Sequence, residues 1–223
     1  MQSNLLKRTI TSFLLIIILL FGLFYNDLSW KLLVMLFLFL CFYEFYNLIN
    51  RIYKNKFFNL ILLFLCGLYL YFFYLLLIRI RIEFGEVTVL ILFVCCFFSD
   101  IGGYVVGKLI GGPKLTTLSP NITISGSLGS IIFTIIGTFF FVMLLDKIDK
   151  NLIQIEFSYK IFIWLFLMSI FCQMGDLFIS YFKRKAKIKD TGNLLPGHGG
   201  LLDRLDGVLL GIPLGILLYT FLL

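Results

Sequence analysis

The chemistry-bearing residues of this sequence crowd into 27 positions, Ser180 to Asp206, reading SYFKRKAKIKDTGNLLPGHGGLLDRLD. Five cations open the segment: Lys183, Arg184, Lys185, Lys187 and Lys189. Alone, such a cluster reads as an anchor in the lipid headgroup layer. It runs into Gly192, Pro196, Gly197, His198, Gly199 and Gly200. Glycines lack a Cβ and let backbone N–H groups approach an anion. The segment closes on Asp203, Arg204 and Asp206. Carboxylates three apart share one face of a helix. Mg2+ takes one or two carboxylates together with water and substrate phosphates, and an arginine between them can grip a phosphate oxygen. Cations, a glycine loop and paired carboxylates in one segment point to a polyphosphate substrate with Mg2+.

Four acidic residues fall in or at the edge of apolar stretches: Glu44, Asp100, Asp176 and Asp206. A carboxylate in hydrocarbon is costly unless paired, hydrated or bound to a cation, so each is a functional candidate. Glu44 has no other motif residue near it in sequence and reads as a structural pairing between helices. Asp176 and Asp206 flank the phosphate-type segment and read as metal ligands, with Asp100 a further candidate.

The elements that position these groups must be membrane helices. Hydrophobic residues make up 61% of the chain and charged ones 14%, against about 25% charged in a soluble domain. A hydrocarbon core about 30 Å thick takes roughly 17–25 apolar residues per helix. The pattern predicts an all-α polytopic membrane protein with about seven transmembrane helices, at 9–25, 32–49, 57–78, 87–107, 127–145, 160–180 and 205–222. Lys7 and Arg8 before the first span resemble a signal peptide's opening, but no small-residue cleavage site follows, so that helix is expected to be retained. With the N-terminus inside, the lysines and arginines divide 13 against 6 in favour of the cytoplasmic side, as the positive-inside rule requires. The same topology puts loops 108–126 and 181–204 on that one face. The net charge of +7 then belongs to cytoplasmic loops near anionic lipid, and nucleic acid is not expected as a partner. Cys41, Cys66, Cys95, Cys96 and Cys172 lie in apolar runs without metal-ligand spacing and read as small hydrophobes.

The segment Ser180–Asp206 resembles the signature of the phosphatidate cytidylyltransferases, or CDP-diglyceride synthetases. The matching positions are Ser180, Phe182, Lys183, Arg184, Lys189, Asp190, Gly192, Leu195, Pro196, His198, Gly199, Gly200, Leu201, Asp203, Arg204, Leu205 and Asp206. Upstream, Gln173, Gly175, Asp176, Leu177 and Phe178 are similar to the family's QxGDLFES run, with Ile179 in place of its Glu. Ser99, Asp100, Gly102, Tyr104, Gly107 and Lys108 are similar to its SDTGAYxxGR run, and Phe42-Tyr43-Glu44-Phe45 to its aromatic–Glu–aromatic element. The family's SPxKTxEG loop is met by Ser119 to Gly126, where Ile122 stands for Lys and Ser125 for Glu.

The resemblance implies a single membrane-embedded domain over 1–223, with its chemistry in segments 99–126 and 173–206. It implies attack by an oxygen of phosphatidate on the α-phosphorus of CTP, giving CDP-diacylglycerol and diphosphate. Asp176, Asp203 and Asp206 would hold Mg2+, with a second, monovalent or divalent, cation left open. Lys183, Arg184, Lys189 and Arg204 would hold the triphosphate and the lipid phosphate. Ser119, Asn121, Thr123, Gly199 and Gly200 are the expected substrate contacts. His198 is expected to order the loop through hydrogen bonds, since a phosphate monoester already ionises near neutral pH. Homodimerisation, membrane lipids as partners and a bacterial inner membrane with the active site facing the cytoplasm complete the expectation. Ile122, Ser125 and Ile179 keep open a catalytically silent homologue with a structural or regulatory role.

Overall fold

In hydrocarbon every backbone N–H and C=O must find its partner within the chain, which leaves the helix as the local solution for such apolar segments. The computed structural model describes residues 2–116, 122–148, 158–197 and 199–222, and six helices run through them: α1 (Gln2–Tyr25), α2 (Asp27–Ile52), α3 (Lys56–Ile110), α4 (Ile124–Ile148), α5 (Tyr159–Lys185) and α6 (Leu202–Leu222). Among the described residues the extended pairings are two isolated bridges, Lys114 with Thr123 and Leu195 with Gly199. The all-α architecture is as predicted, and the count of seven spans is not confirmed. Among the described residues five helices, α2 to α6, are long and apolar enough to cross a membrane. α3 holds two helical segments that meet at non-helical backbone at Gly85 (φ 82°, ψ 170°), a conformation that glycine reaches without a Cβ penalty, and the expected spans 57–78 and 87–107 lie on either side of that break.

The chain parts into two compact units, Met1–Glu86 with Phe182–Leu205, and Val87–Tyr181 with Asp206–Leu223. In the first, α1 turns into α2 through a reciprocal cap. Asn26 Oδ1 accepts from Ser29 N–H at 2.6 Å, while Asn26 N–H donates to Ser29 Oγ at 3.1 Å, satisfying two amides that the helix start would leave orphaned. α2 buries the stripe Trp30, Val34, Leu38, Cys41, Phe45 and Leu48 at helical spacing, and Glu44 lies buried on that same apolar side. Arg81 is buried just before the Gly85 break; its Nε donates to Leu23 O at 3.2 Å and its fork reaches Asp27 and Glu86. α5 ends in this unit on a Schellman arrangement. Ile188 N–H donates to Lys183 O at 3.0 Å and Lys187 N–H to Arg184 O at 3.1 Å, with Lys187 itself left-handed at φ 56°.

In the second unit, small residues bring helices into backbone contact, as membrane helix packing favours. A Cβ on Gly102 would strike Gly129 O, and one on Gly129 would strike Val106 of α3. Along α6, Gly207, Gly211 and Gly215 repeat every fourth residue and face Asp176, Cys172 and Met168 of α5. Trp164 Nε1–H donates to Gly215 O at 2.7 Å on that seam. Cys95, Cys96 and Cys172 are buried here, and Cys41 in the first unit, each with a free thiol.

Candidate functional site

The segment that carries the chemistry is held by carboxylates, each placed by a different helix. In the first unit the α2 stripe drives Glu44 inward, where it is 2% exposed. Its Oε1 accepts Leu201 N–H at 2.9 Å, and its Oε2 accepts Leu202 N–H at 2.8 Å and the Thr191 hydroxyl at 2.8 Å. Leu201 and Leu202 are the entry to α6, so Glu44 satisfies amides that a helix start leaves open and places negative charge at the positive end of its dipole. Asp203, in the first turn of α6, serves the same loop from the other side. Its Oδ1 accepts the Lys183 ammonium at 2.7 Å, and its Oδ2 accepts Thr191 N–H at 2.7 Å and Gly200 N–H at 3.2 Å, with Thr191 Oγ1 within reach at 3.0 Å. A carboxylate has about four lone-pair sites, and three protein donors already fill most of the acceptor capacity of Asp203. The Lys183–Asp203 pair is largely shielded from solvent, at 13% and 7% side-chain exposure.

The glycines of this loop answer to Glu44. A Cβ on Gly192 would come within 2.6 Å of Glu44 Oε1, and one on Gly200 would strike both Thr191 Oγ1 and Glu44 Oε2. Gly199 has φ +89°, and its Cβ would lie 2.9 Å from Asp190 Cβ. Gly199 and Gly200 were expected to offer N–H groups to substrate. Here Gly199 N–H donates to Leu195 O at 3.1 Å and Gly200 N–H to Asp203. Leu195 N–H returns to Gly199 O at 2.9 Å, closing the turn. His198 lies outside the described residues.

Of the other cations, Arg184, Lys189 and Arg204 are exposed, so they are accessible to a phosphate. Lys185 meets Tyr53, its Nζ donating to the phenol oxygen at 2.6 Å, and Phe182 packs edge-on against Phe45 at 5.6 Å. These contacts tie the end of α5 to α2.

In the second unit Asp176 and Asp206 come together. The Asp176 carboxylate lies against Gly207, the residue after Asp206, and Asp206 is buried. Gly175 permits the approach, because a Cβ there would strike the Asp206 carbonyl. Two ionised carboxyls facing each other repel, and a divalent cation or a shared proton relieves that repulsion. No cluster of three or more His, Cys, Asp or Glu suited to a metal exists among the described residues. Two carboxylates nonetheless match what Mg2+ takes from protein when water and phosphate complete its shell.

Thr123, an expected nucleotide contact, sits at the start of α4, where its Oγ1 accepts Gly126 N–H at 3.0 Å as an N-cap does. Ser125 shares a hydrogen bond with Thr123 Oγ1 at 3.0 Å and donates to Gly111 O. Ser125 thus serves the loop's own backbone. Ile122 contributes its carbonyl, which accepts Leu115 N–H at 2.9 Å. Ser119 and Asn121 lie outside the described residues. Gln173 is tied to Ser127 through its side-chain oxygen and, at 3.3 Å, to the Ser127 carbonyl.

Sequence reasoning missed Glu44 and Thr191. Glu44 was expected to pair two helices, and the structure corrects this: it pairs with a loop hydroxyl and with the amides at the start of α6. The available signal was the aromatic–Glu–aromatic element on an otherwise apolar helix face.

The sequence model of the Cytidylyltransferase family matches residues 52–222. A protein named phosphatidate cytidylyltransferase from Helicobacter pylori is 40% identical over 140 residues, covering 61% of this chain and 49% of that protein. Proteins of the same name from Brucella suis and Staphylococcus haemolyticus are 37% and 40% identical over 139 and 132 residues, covering 47% and 46% of their lengths. The chain spans about half the length of the curated relatives it matches.

Proposed function

We propose, since this chain belongs to the Cytidylyltransferase family, that it transfers the cytidylyl group of CTP to phosphatidate, giving CDP-diacylglycerol and diphosphate at the cytoplasmic face of a bacterial inner membrane. The observation that carries the reading is the hydrogen-bonded fold of the signature segment, in which Asp203 holds Lys183 at 2.7 Å and gathers the loop amides. An ammonium has three donors, so Lys183, held at this place by Asp203, is ready to turn them to phosphate oxygens.

In the proposed step an oxygen of the phosphatidate monoester bonds to the α-phosphorus of CTP. The bond from the α-phosphorus to the bridging oxygen breaks, and diphosphate leaves with that oxygen. Such transfers depend on positioning and charge neutralisation. Lys183 turns from Asp203 to the phosphate, while the exposed Arg184, Lys189 and Arg204 draw the triphosphate and the lipid headgroup to the interface. Ser119, Asn121 and Thr123 keep their proposed place beside the nucleotide. Asp176 and Asp206 are the residues that would hold Mg2+, whose chemistry there is charge neutralisation on the phosphates. Asp203, once expected among those ligands, is assigned to holding Lys183 and the loop. The apolar helices suit a substrate whose acyl chains stay in the bilayer.

The test is product formation from radiolabelled CTP and phosphatidate by detergent-purified protein with Mg2+, comparing wild type with Asp206→Asn and with a chelator. CDP-diacylglycerol from the Mg2+-supplied wild type alone is the expected result. A folded wild type that neither makes product nor binds CTP overturns the reading.

A further inference from the structure

Thr191 stands between two buried carboxylates with one proton to give. Its Oγ1 lies 2.8 Å from Glu44 Oε2 and 3.0 Å from Asp203 Oδ2, and Thr191 is itself buried. A hydroxyl donates once, so at any moment it satisfies one carboxylate and turns lone pairs toward the other. The two carboxylates have different support. Glu44 keeps two backbone amides, Leu201 N–H and Leu202 N–H, whichever way the hydroxyl turns. Asp203 keeps two amides and the Lys183 ammonium. Asp203 therefore depends on Thr191 most when Lys183 turns toward another anion, because a buried carboxylate that loses its counter-charge is strongly destabilised.

We infer that Thr191, backed by Glu44, is a positioning residue for the transfer reaction, and that its single proton is the link between the hold on α6 and the hold on Lys183. With Lys183 on Asp203 the hydroxyl donates to Glu44. When the ammonium engages substrate phosphate, the hydroxyl rotates to Asp203, and the carboxylate keeps its place and its grip on the Gly200 and Thr191 amides. No bond other than hydrogen bonds changes, and the loop keeps its shape through the cycle. Gly192 and Gly200 lie so close to the Glu44 carboxylate that a Cβ at either would strike it.

The inference rests on the cytidylyl-transfer activity proposed above, and the experiment separates the two. Purified wild type, Thr191→Val and Thr191→Ser are compared for thermal unfolding and for kcat and KM with CTP and phosphatidate, normalised to folded protein. Valine keeps the shape and removes the hydroxyl; serine keeps the hydroxyl. Thr191→Val is expected to lower kcat about tenfold or more, as leaving a buried acceptor unmet implies, with KM for CTP nearly unchanged. Thr191→Ser is expected to restore most of kcat. An active wild type matched by Thr191→Val refutes the relay alone. So does loss of turnover in Thr191→Ser as deep as in Thr191→Val, or a fall in activity that merely follows the folded fraction. A wild type without turnover refutes the proposed activity, and the relay with it.

Discussion

Replacing Glu44 by Gln is the sharpest test of how this segment is held. The side chain is 2% exposed and receives three hydrogen bonds of 2.8 to 2.9 Å, from Leu201 N–H, Leu202 N–H and Thr191 Oγ1–H. A glutamine can place its oxygen on only one of the two Oε positions. The less costly choice sets the oxygen where Oε2 was, keeping Leu202 N–H and Thr191, and turns an NH2 toward Leu201 N–H. That amide is then buried, facing another donor, at a cost of about 1–3 kcal/mol. The retained bonds weaken because they lose their charge, and the favourable term at the helix start, about 0.3–1 kcal/mol, disappears. Opposing these, an amide is easier to bury than a carboxylate. The unmet amide and the weakened bonds outweigh that relief, because the charge already has the helix start and three donors around it. The net expectation is a loss of about 2 kcal/mol, or roughly 4–8 °C in Tm for a chain of this size. The measurement is thermal unfolding of detergent-purified protein, followed by turnover well below the shifted Tm. Glu44→Asp withdraws the carboxylate by one methylene and should lose at least as much. A Glu44→Gln protein as stable as the wild type would refute the assignment of Glu44 as the clasp of the loop.

Gly200→Ala puts a methyl group against Thr191 Oγ1 and Glu44 Oε2, and overpacking of this kind costs about 1–3 kcal/mol; Tm and turnover should both fall, and an unchanged Tm would show that the loop yields freely. Lys187→Gly relieves a left-handed residue at φ 56° and should raise stability by up to about 1 kcal/mol, since that conformation costs L-residues about 1–2 kcal/mol, with turnover retained. Arg81→Met should cost about 1–2 kcal/mol in thermal unfolding. The usual 3–5 kcal/mol for breaking a buried pair does not apply, because Asp27 and Glu86 keep 71% and 43% side-chain exposure and return to water, leaving mainly the Leu23 carbonyl unmet.

What could be read from sequence is what local chemistry announces. An apolar run with scattered cysteines has one stable form in hydrocarbon, so the helices, and the thiols buried among them, follow from composition. The break between the expected spans 57–78 and 87–107 was legible as well, and the backbone leaves the helix at Gly85 within it; the count of seven is not confirmed by the five helices long and apolar enough to cross a membrane among the described residues. Lys183 and Asp203 were legible as a cation and a carboxylate within reach of phosphate. Their bond to each other was not, since it depends on how twenty residues of loop return. Glycine was the most ambiguous signal. A residue without a Cβ admits any close neighbour, and sequence cannot say whether that neighbour is a phosphate or the protein's own carboxylate. Gly192 and Gly200 turned out to admit Glu44, 148 and 156 positions earlier in the chain. That distance explains why Glu44 looked solitary: no spacing rule relates a residue in the middle of α2 to the start of α6. Yet the physics that hid its partner also pointed to it. A lone carboxylate on the buried stripe of an apolar helix needs hydrogen-bond donors from elsewhere in the fold. The donors in greatest need of an acceptor in such a protein are the amides at the start of another helix. A buried Glu in one membrane helix and a glycine-bracketed helix start elsewhere are two halves of one requirement, and reading them together would have placed Glu44 at the head of α6.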